Sequence, residues 1–302
     1  MEKMASPFDI VIYAYDTTGL TGTVNRISRE LDDIIFEINH YEENSDVNLF
    51  CEKQVSGKKI SISPDLTTLL RLSKEAYKLS NGKFDVSVGC LIHFWKSKKN
   101  WDSMPADSIL RTFLPRKNIS NIRICGRKAK WGVENACLDF GGLGKGYVAQ
   151  KFVDELEASG YPIALINAGG DIVTGESKGN EPWKVGVELK DGSLESQILN
   201  INNYAVATSG DMYQYITIGD ERFSHIIDPE TMKPVKHRTN VTVLAPEGWK
   251  ADFYASYFSI LPPSKAVEKA NSIKGVEVLI SFVEGERINT TWSDGFMKFM
   301  KK

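Results

Sequence analysis

The sequence predicts an α+β fold, arranged as a single bilobed unit over residues 1–302, from three observations. The chain opens as strand then helix. Its middle repeats a strand–helix–strand rhythm, and residues 183–245 change to short strands parted by Gly, Asp and Pro turns. No internal repeat and no Gly/Ser-rich or Pro-rich linker divides the chain.

Each element has a local reason. FDIVIYAYD (8–16) is short, β-branched and aromatic, which predicts a strand. Over 23–40, Val24, Ile27, Leu31, Ile34, Ile35 and Ile38 recur at three- and four-residue spacing, the stripe of an amphipathic helix. Over 63–79, Ser63 is placed to cap a helix with Pro64 in its first turn. Leu66, Leu69, Leu70, Leu72, Ala76 and Leu79 supply its buried side, and Asn81-Gly82 ends it. IRIC (122–125) and ACLDF (136–140) are strand-like, a helix is expected over about 145–158, and PIALINAGG continues as a strand. The short strands WKVGVEL, AVATS, QYITI, RFSHIID and NVTVLA follow, then helices at about 249–260 and 263–273 and three closing strand candidates.

Composition bounds the function. A chain of 302 residues, 42% hydrophobic and 25% charged, can bury a sizeable core and is neither disordered nor a coiled coil. Lys plus Arg total 37 against 39 Asp plus Glu, so a net charge of −2 gives no global pull toward nucleic acid or an anionic membrane. No apolar run reaches the roughly 18 residues of a membrane span. The start, MEKMASPFDIVIYAYD, lacks the pattern of an export signal, so the expectation is a soluble chain, cytoplasmic or exported with its signal removed. Cys51, Cys90, Cys125 and Cys137 have no C-x-x-C spacing. They read as small buried hydrophobes in a reducing compartment, with neither a zinc site nor a disulfide framework expected.

Several motifs carry chemistry. DFGGLGKGY (139–147) puts glycines and Lys145 between a strand and a helix start, where free N–H groups and an ammonium suit a phosphate. It matches neither the Walker nor the Rossmann spacing, and taken alone it is equally a tight turn. NAGGD (167–171) and TSGD (208–211) are polar turns at strand ends. In SHIIDP (224–229), His225 is either a general base or a structural histidine. His40, His93 and His237 have no motif around them and read as structural or surface residues. Asp252 and Ser256 stand four apart on one helix face, an oxygen pair suited to Mg2+ or, for the aspartate, to the helix dipole. NGKFDVSVG (81–89) sets Phe84 beside Asp85 in a loop entering a strand. That pair could stack on and hydrogen-bond a heterocycle, or be a packed ring and a solvated carboxylate.

In this order the motifs SNGKFDVSVG, LDFGGLGKGY, NAGGD, TSGD, SHIIDP and AD-x-x-x-S resemble the ApbE-like family, the FAD:protein FMN transferases, from about Met4 to Leu261. The resemblance implies a T-fold-like core and a Mg2+-dependent enzyme that cleaves FAD. FMN would be attached through a phosphoester to Ser or Thr of a target flavoprotein carrying a flavinylation motif, and AMP released. It also implies FAD contacts at Met4, Tyr41, Lys83, Phe84, Asp85, Asp139, Lys145 and Ile227. Metal ligands would come from Gly142, Asp252, Ala255 and Ser256, and the base from His225. The sequence departs from the family at Met4-Ala5-Ser6, at Lys83, at Ser256 for threonine, and at Thr231-Met232 for Thr-Gly. Tyr41 stands where transferase-type members tend to carry Tyr and hydrolase-type members Asn. The alternatives are an FAD pyrophosphatase, which would release FMN and AMP, and a non-catalytic FAD-binding protein.

Overall fold

In the computed structural model, which describes residues 1–4, 6–53, 58–188, 196–210 and 215–300, the chain divides into two units. One comprises Met1–Asp33, Leu143–Gly210 and His237–Lys302, and the other Ile34–Gly142 and Asp211–Lys236. The amphipathic helix Leu20–Ile38 carries the chain from the first to the second, with Ile27 and Leu31 fully buried. Among the described residues no helix is long and apolar enough to cross a membrane.

The first unit is an antiparallel sheet of eight strands. In spatial order they are Glu2–Lys3, Ser6–Ile12, Ala164–Ala168, Asp171–Thr174, Ala205–Gly210, Thr239–Ala245, Glu277–Glu284 and Arg287–Trp292. Thr239–Ala245 is buried along almost its whole length because both faces of the sheet are covered. Leu244, with Val206 and Leu279, packs against the ribbon formed by Trp183–Glu188 and Ser196–Ile201. Val241 and Val243 point the other way by strand alternation, toward helix Gly248–Phe258. A two-residue turn, Gly169-Gly170, joins Ala164–Ala168 to Asp171–Thr174. Its φ angles of 64° and 100° are those that glycine adopts without strain.

The second unit is built on helix Pro64–Leu79. Ser63 Oγ caps it by accepting the Leu66 N–H, and Asn81 and Gly82, at φ 52° and 82°, end it. Its core gathers Val88, Leu91, Trp95, Leu110, Ile216, Ile218, Phe223 and Ile227.

Four expectations change. Residues 86–88 form a 3-10 turn that leads into helix Gly89–Lys96, not a strand, because Asp85 accepts the Ser87 N–H and caps the turn against the β-branched preference of Val86 and Val88. Segment 136–140 is buried without a strand ladder and is tied to the turn by Asp139 N–H donating to Val86 O at 2.9 Å. RFSHIID breaks at His225 into Glu221–Ser224 and Ile227–Asp228. At the C-terminal end two long strands and a 3-10 turn, Phe296–Lys298, replace three short strands.

The cysteine reading is corrected as well. Cys90 and Cys137 form a disulfide with Cα atoms 5.2 Å apart. Segment 136–140 runs so close to the start of helix Gly89–Lys96 that a Cβ on Gly89 would lie 2.9 Å from the Cys137 backbone, a proximity that sequence spacing does not reveal. Cys51 is buried, its thiol pushed up to about 12 by burial, and Cys125 is exposed.

Candidate functional site

In the first unit the functional side chains gather where two helix starts cross. Gly146, in the first turn of Gly144–Ala158, lies against Gly248, which opens Gly248–Phe258. A Cβ on either would run into the carbonyl of the other. Neither helix has a side-chain cap from its own N-cap residue, so the two cap one another. Gly146 N–H donates to Asp252 Oδ2 at 3.1 Å, and Gly248 N–H donates to Gln150 Oε1 at 3.0 Å.

Lys145 projects from the same turn and its Nζ lies 2.5 Å from Asp171 Oδ2. Asp171 starts the strand after the Gly169-Gly170 turn and is buried. NAGGD therefore supplies the partner of Lys145, a role that its reading as a turn missed. Burial pulls the Lys145 ammonium down, but the charges of Asp171 and Asp252 outweigh it and hold it above its ordinary value. Burial raises Asp171 against the pull of Lys145. Asp252 is pushed up to about 7, first by burial and then by the charge of Asp171, against Lys145 and the amides of Gly146 and Lys145.

Two buried carboxylates thus share one ammonium, which leaves one negative charge in excess once Asp252 is ionised. Ser256, half-buried one turn beyond Asp252, adds a hydroxyl oxygen. Oxygen donors with unbalanced negative charge fit a hard divalent cation such as Mg2+. The Ala255 carbonyl fits less well, since it already accepts the Ser259 N–H at 3.2 Å and the Ser259 hydroxyl at 2.8 Å. Met4 is half-buried in the turn between Glu2–Lys3 and Ser6–Ile12, at φ 51°. Thr208, Ser209 and Gly210 of TSGD belong to a strand and not to a turn, and Asp211 lies outside the described residues.

In the second unit, Asp85 is occupied by its own chain. Its carboxylate accepts Ser87 N–H at 3.0 Å, Ser87 Oγ–H at 2.6 Å, Asn118 N–H at 2.7 Å and Ile119 N–H at 3.2 Å. Three of these donors converge on Oδ1 and one on Oδ2, so Asp85 pins its loop while its Oδ2 keeps acceptor capacity. Burial raises its carboxyl, and these bonds act against that. Phe84 is only 8% exposed, a packed ring, and Lys83 pairs with Glu230 at 2.5 Å. His225 is half-buried in the bend between Glu221–Ser224 and Ile227–Asp228, and Ile227 packs in the core. Met232 takes φ 60° where the family pattern has glycine, and its carbonyl accepts the Trp95 indole N–H at 2.9 Å. Gly142 is half-buried in the loop leading to helix Gly144–Ala158.

Asp139 also lies in this unit, and two histidines that carried no motif join it. Its Oδ1 accepts the Gly141 N–H at 2.7 Å, while Oδ2 lies 3.9 Å from His40 Nε2 and 4.0 Å from Lys96 Nζ. The rings of His40 and His93 are 4.7 Å apart, and Tyr41, 69% exposed, lies tilted against His40 with ring centroids 4.0 Å apart. Burial lowers both imidazoles, with the Asp139 charge acting against it.

A model described as the ApbE family matches residues 4–280. The FAD:protein FMN transferase of Vibrio cholerae serotype O1 is 26% identical over 295 residues, covering 95% of this chain and 86% of the relative. That of Haemophilus influenzae is 26% identical over 270 residues, 84% of this chain and 78% of the relative. Among solved structures, the apo form of Pseudomonas stutzeri flavinyl transferase ApbE is similar with a TM-score of 0.86 at 22% identity, over 99% of this chain and 95% of that one. The ApbE protein of Thermotoga maritima is similar with a TM-score of 0.84 at 23% identity, over 99% and 97%. These likenesses establish the mixed helix-and-sheet fold.

Proposed function

Because this chain belongs to the ApbE family, we propose that it is a Mg2+-dependent FAD:protein FMN transferase. The observation that carries the reading is the crossing of the two helix starts, where Lys145, Asp171 and Asp252 assemble in the first turn of helix Gly144–Ala158 and beside it. That arrangement suits the pyrophosphate of a dinucleotide: the helix start and ammonium attract its oxygens, and the excess carboxylate charge calls for a metal. Asp252 and Ser256 are the residues that would hold Mg2+, which when bound supplies positive charge to phosphate oxygens as a Lewis acid.

The hydroxyl of a Ser or Thr on the acceptor flavoprotein attacks the phosphorus on the FMN side of FAD. The new P–O bond forms as the pyrophosphate P–O bond breaks, and AMP departs with that bond's electron pair. His225 takes the hydroxyl proton on an imidazole nitrogen. Lys145 meets charge that develops on the pyrophosphate, and Asp171 fixes where its ammonium stands. Asp85 acts in the second unit by holding the loop that carries Lys83 and Phe84.

The test is to incubate the protein with FAD and Mg2+, with and without an acceptor domain carrying a flavinylation Thr, following AMP, free FMN and acceptor mass together. An acceptor heavier by one FMN, formed only with Mg2+, is the expected result. Free FMN with AMP at the full rate and no modified acceptor would replace the transferase with a pyrophosphatase. FAD recovered unchanged would reduce the chain to a binder.

A further inference from the structure

His40, His93 and Asp139 come from three separate stretches of the second unit, and one ligand atom of each lies within 4.8 Å of the others. The His40 side chain is only 10% exposed and that of Asp139 4%. The Nε2 atoms of both histidines are buried and make no hydrogen bond among the described residues. A carboxylate–histidine hydrogen bond would explain the trio, but 3.9 Å between His40 Nε2 and Asp139 Oδ2 is too long for one. Lys96 is a poor substitute, 4.0 Å from the same oxygen on a side chain 42% exposed.

The carboxylate is aimed by its other oxygen. Asp139 Oδ1 is held by the Gly141 N–H, and the Asp139 amide is held by Val86 O, so Oδ2 is left to face the imidazoles. A backbone bond of this kind orients a metal ligand in the way an outer shell does. The imidazoles, moved toward their neutral form by burial, offer lone pairs. Donors at about 2.1 Å from a tetrahedral ion stand roughly 3.4 Å apart, so closing on one would take side-chain shifts on the order of 1 Å.

We propose that His40, His93 and Asp139 form a binding site for a borderline divalent transition ion such as Zn2+, with a further coordination position open to water or an anion. Two nitrogens and one oxygen prefer such an ion over Mg2+, which takes oxygen ligands. The site is thus chemically different from the Asp252–Ser256 pair and does not depend on the transferase reading.

The test is equilibrium dialysis of the purified full chain against Zn2+ and, separately, Co2+, each in a large excess of Mg2+, with metal analysis and the Co2+ absorption spectrum as readouts. One ion per chain is expected to survive the Mg2+. His40→Ala and His93→Ala should each weaken binding by more than the roughly 100-fold that losing a supporting partner costs. Asp139→Asn, which keeps an oxygen for Gly141, should weaken it as well. Near-UV circular dichroism checks that the variants fold, and His93→Gln replaces His93→Ala if that variant does not. Failure of the wild type to retain either ion would overturn the proposal, as would unchanged binding in both histidine variants. So would a wild-type Co2+ spectrum with thiolate charge transfer, or loss of binding in Cys125→Ser, since either would place the ion on a cysteine however the other variants fold.

Discussion

Two buried carboxylate clusters, one in each unit, solve the same electrostatic problem differently. Around Asp171 and Asp252 the chain supplies its own counter-charge, an ammonium at 2.5 Å and a helix-start N–H at 3.1 Å. Around Asp139 the imidazole and the ammonium stand back at 3.9 and 4.0 Å, and the histidine Nε2 atoms bond to nothing described. The difference teaches what each cluster can accept. The first holds positive charge close to its carboxylates, which suits the anion and the hard cation that the proposed function assigns to it. The second leaves two buried imidazole nitrogens without a hydrogen-bond partner among the described residues, near a carboxylate oxygen.

The strongest way to break the comparison is to remove Asp252, the carboxylate that accepts the helix-start N–H and is proposed to hold the metal. Asp252→Ala should abolish Mg2+-dependent turnover, a loss on the order of 10³-fold or more if several kcal/mol of charge stabilisation go with the metal. Retained activity at micromolar Mg2+ would show that the first cluster needs no cation. Next in size is His225→Ala, expected to slow transfer about 10²–10⁴-fold while FAD affinity holds, because a base acts in the chemical step. Collapse of affinity with an unchanged rate at saturation would make His225 a binding residue.

How legible each cluster was follows from where its residues lie in the chain. The places of Lys145 at a helix start and of Asp252 and Ser256 on one helix were readable because a glycine-rich helix start and an i, i+4 spacing are local patterns. Helix Pro64–Leu79, its Ser63 cap and its Asn81-Gly82 stop were readable for the same reason. Asp171 was half-visible: NAGGD announced a turn, but its pairing with Lys145 crosses 26 positions that no periodicity spans. His40 and His93 were invisible, since only folding brings three distant stretches together. The disulfide failed for that reason too, its cysteines standing 47 positions apart. Residues 86–88 failed differently: β-branched residues favoured a strand, and the capping carboxylate of Asp85 decided otherwise.

Packing separates the units further. Gly146→Ala forces a Cβ against the Gly248 carbonyl and should cost about 3 kcal/mol, the upper part of the overpacking range, seen as a lowered denaturation midpoint. Gly132→Ala in the second unit meets nothing within 4 Å and should change stability by no more than about 1 kcal/mol, in the stabilising direction. Equal effects would deny that the helix crossing is a close backbone contact. Asp85→Asn falls between them: its amide would turn N–H groups toward the donors of Ser87, Asn118 and Ile119, at a cost of about 1–3 kcal/mol.

The smallest effect, and the one that compares the clusters most directly, is the slope of stability with pH in metal-free protein. Asp252 releases its proton near 3.8 when unfolded and at about 7 when folded. Between those values the folded state holds the extra proton, so this group makes stability fall as pH rises. His40 and His93 are lowered from 6.5, so the unfolded state binds the proton first as pH drops, and their contribution is lost below that value. The two clusters therefore tilt the same curve in opposite directions. Asp252→Asn should shrink the falling component between about pH 4 and 7, leaving the share of the other raised carboxyls, Asp171 and Asp85, and saturating Mg2+ should flatten it by holding the Asp252 carboxylate ionised in the folded state. His93→Gln should weaken the rising component around pH 6 and leave the response to Mg2+ alone. If Mg2+ instead reshaped the rising component, the hard cation would be acting on the histidine cluster, and the division of labour between the two carboxylates would fail.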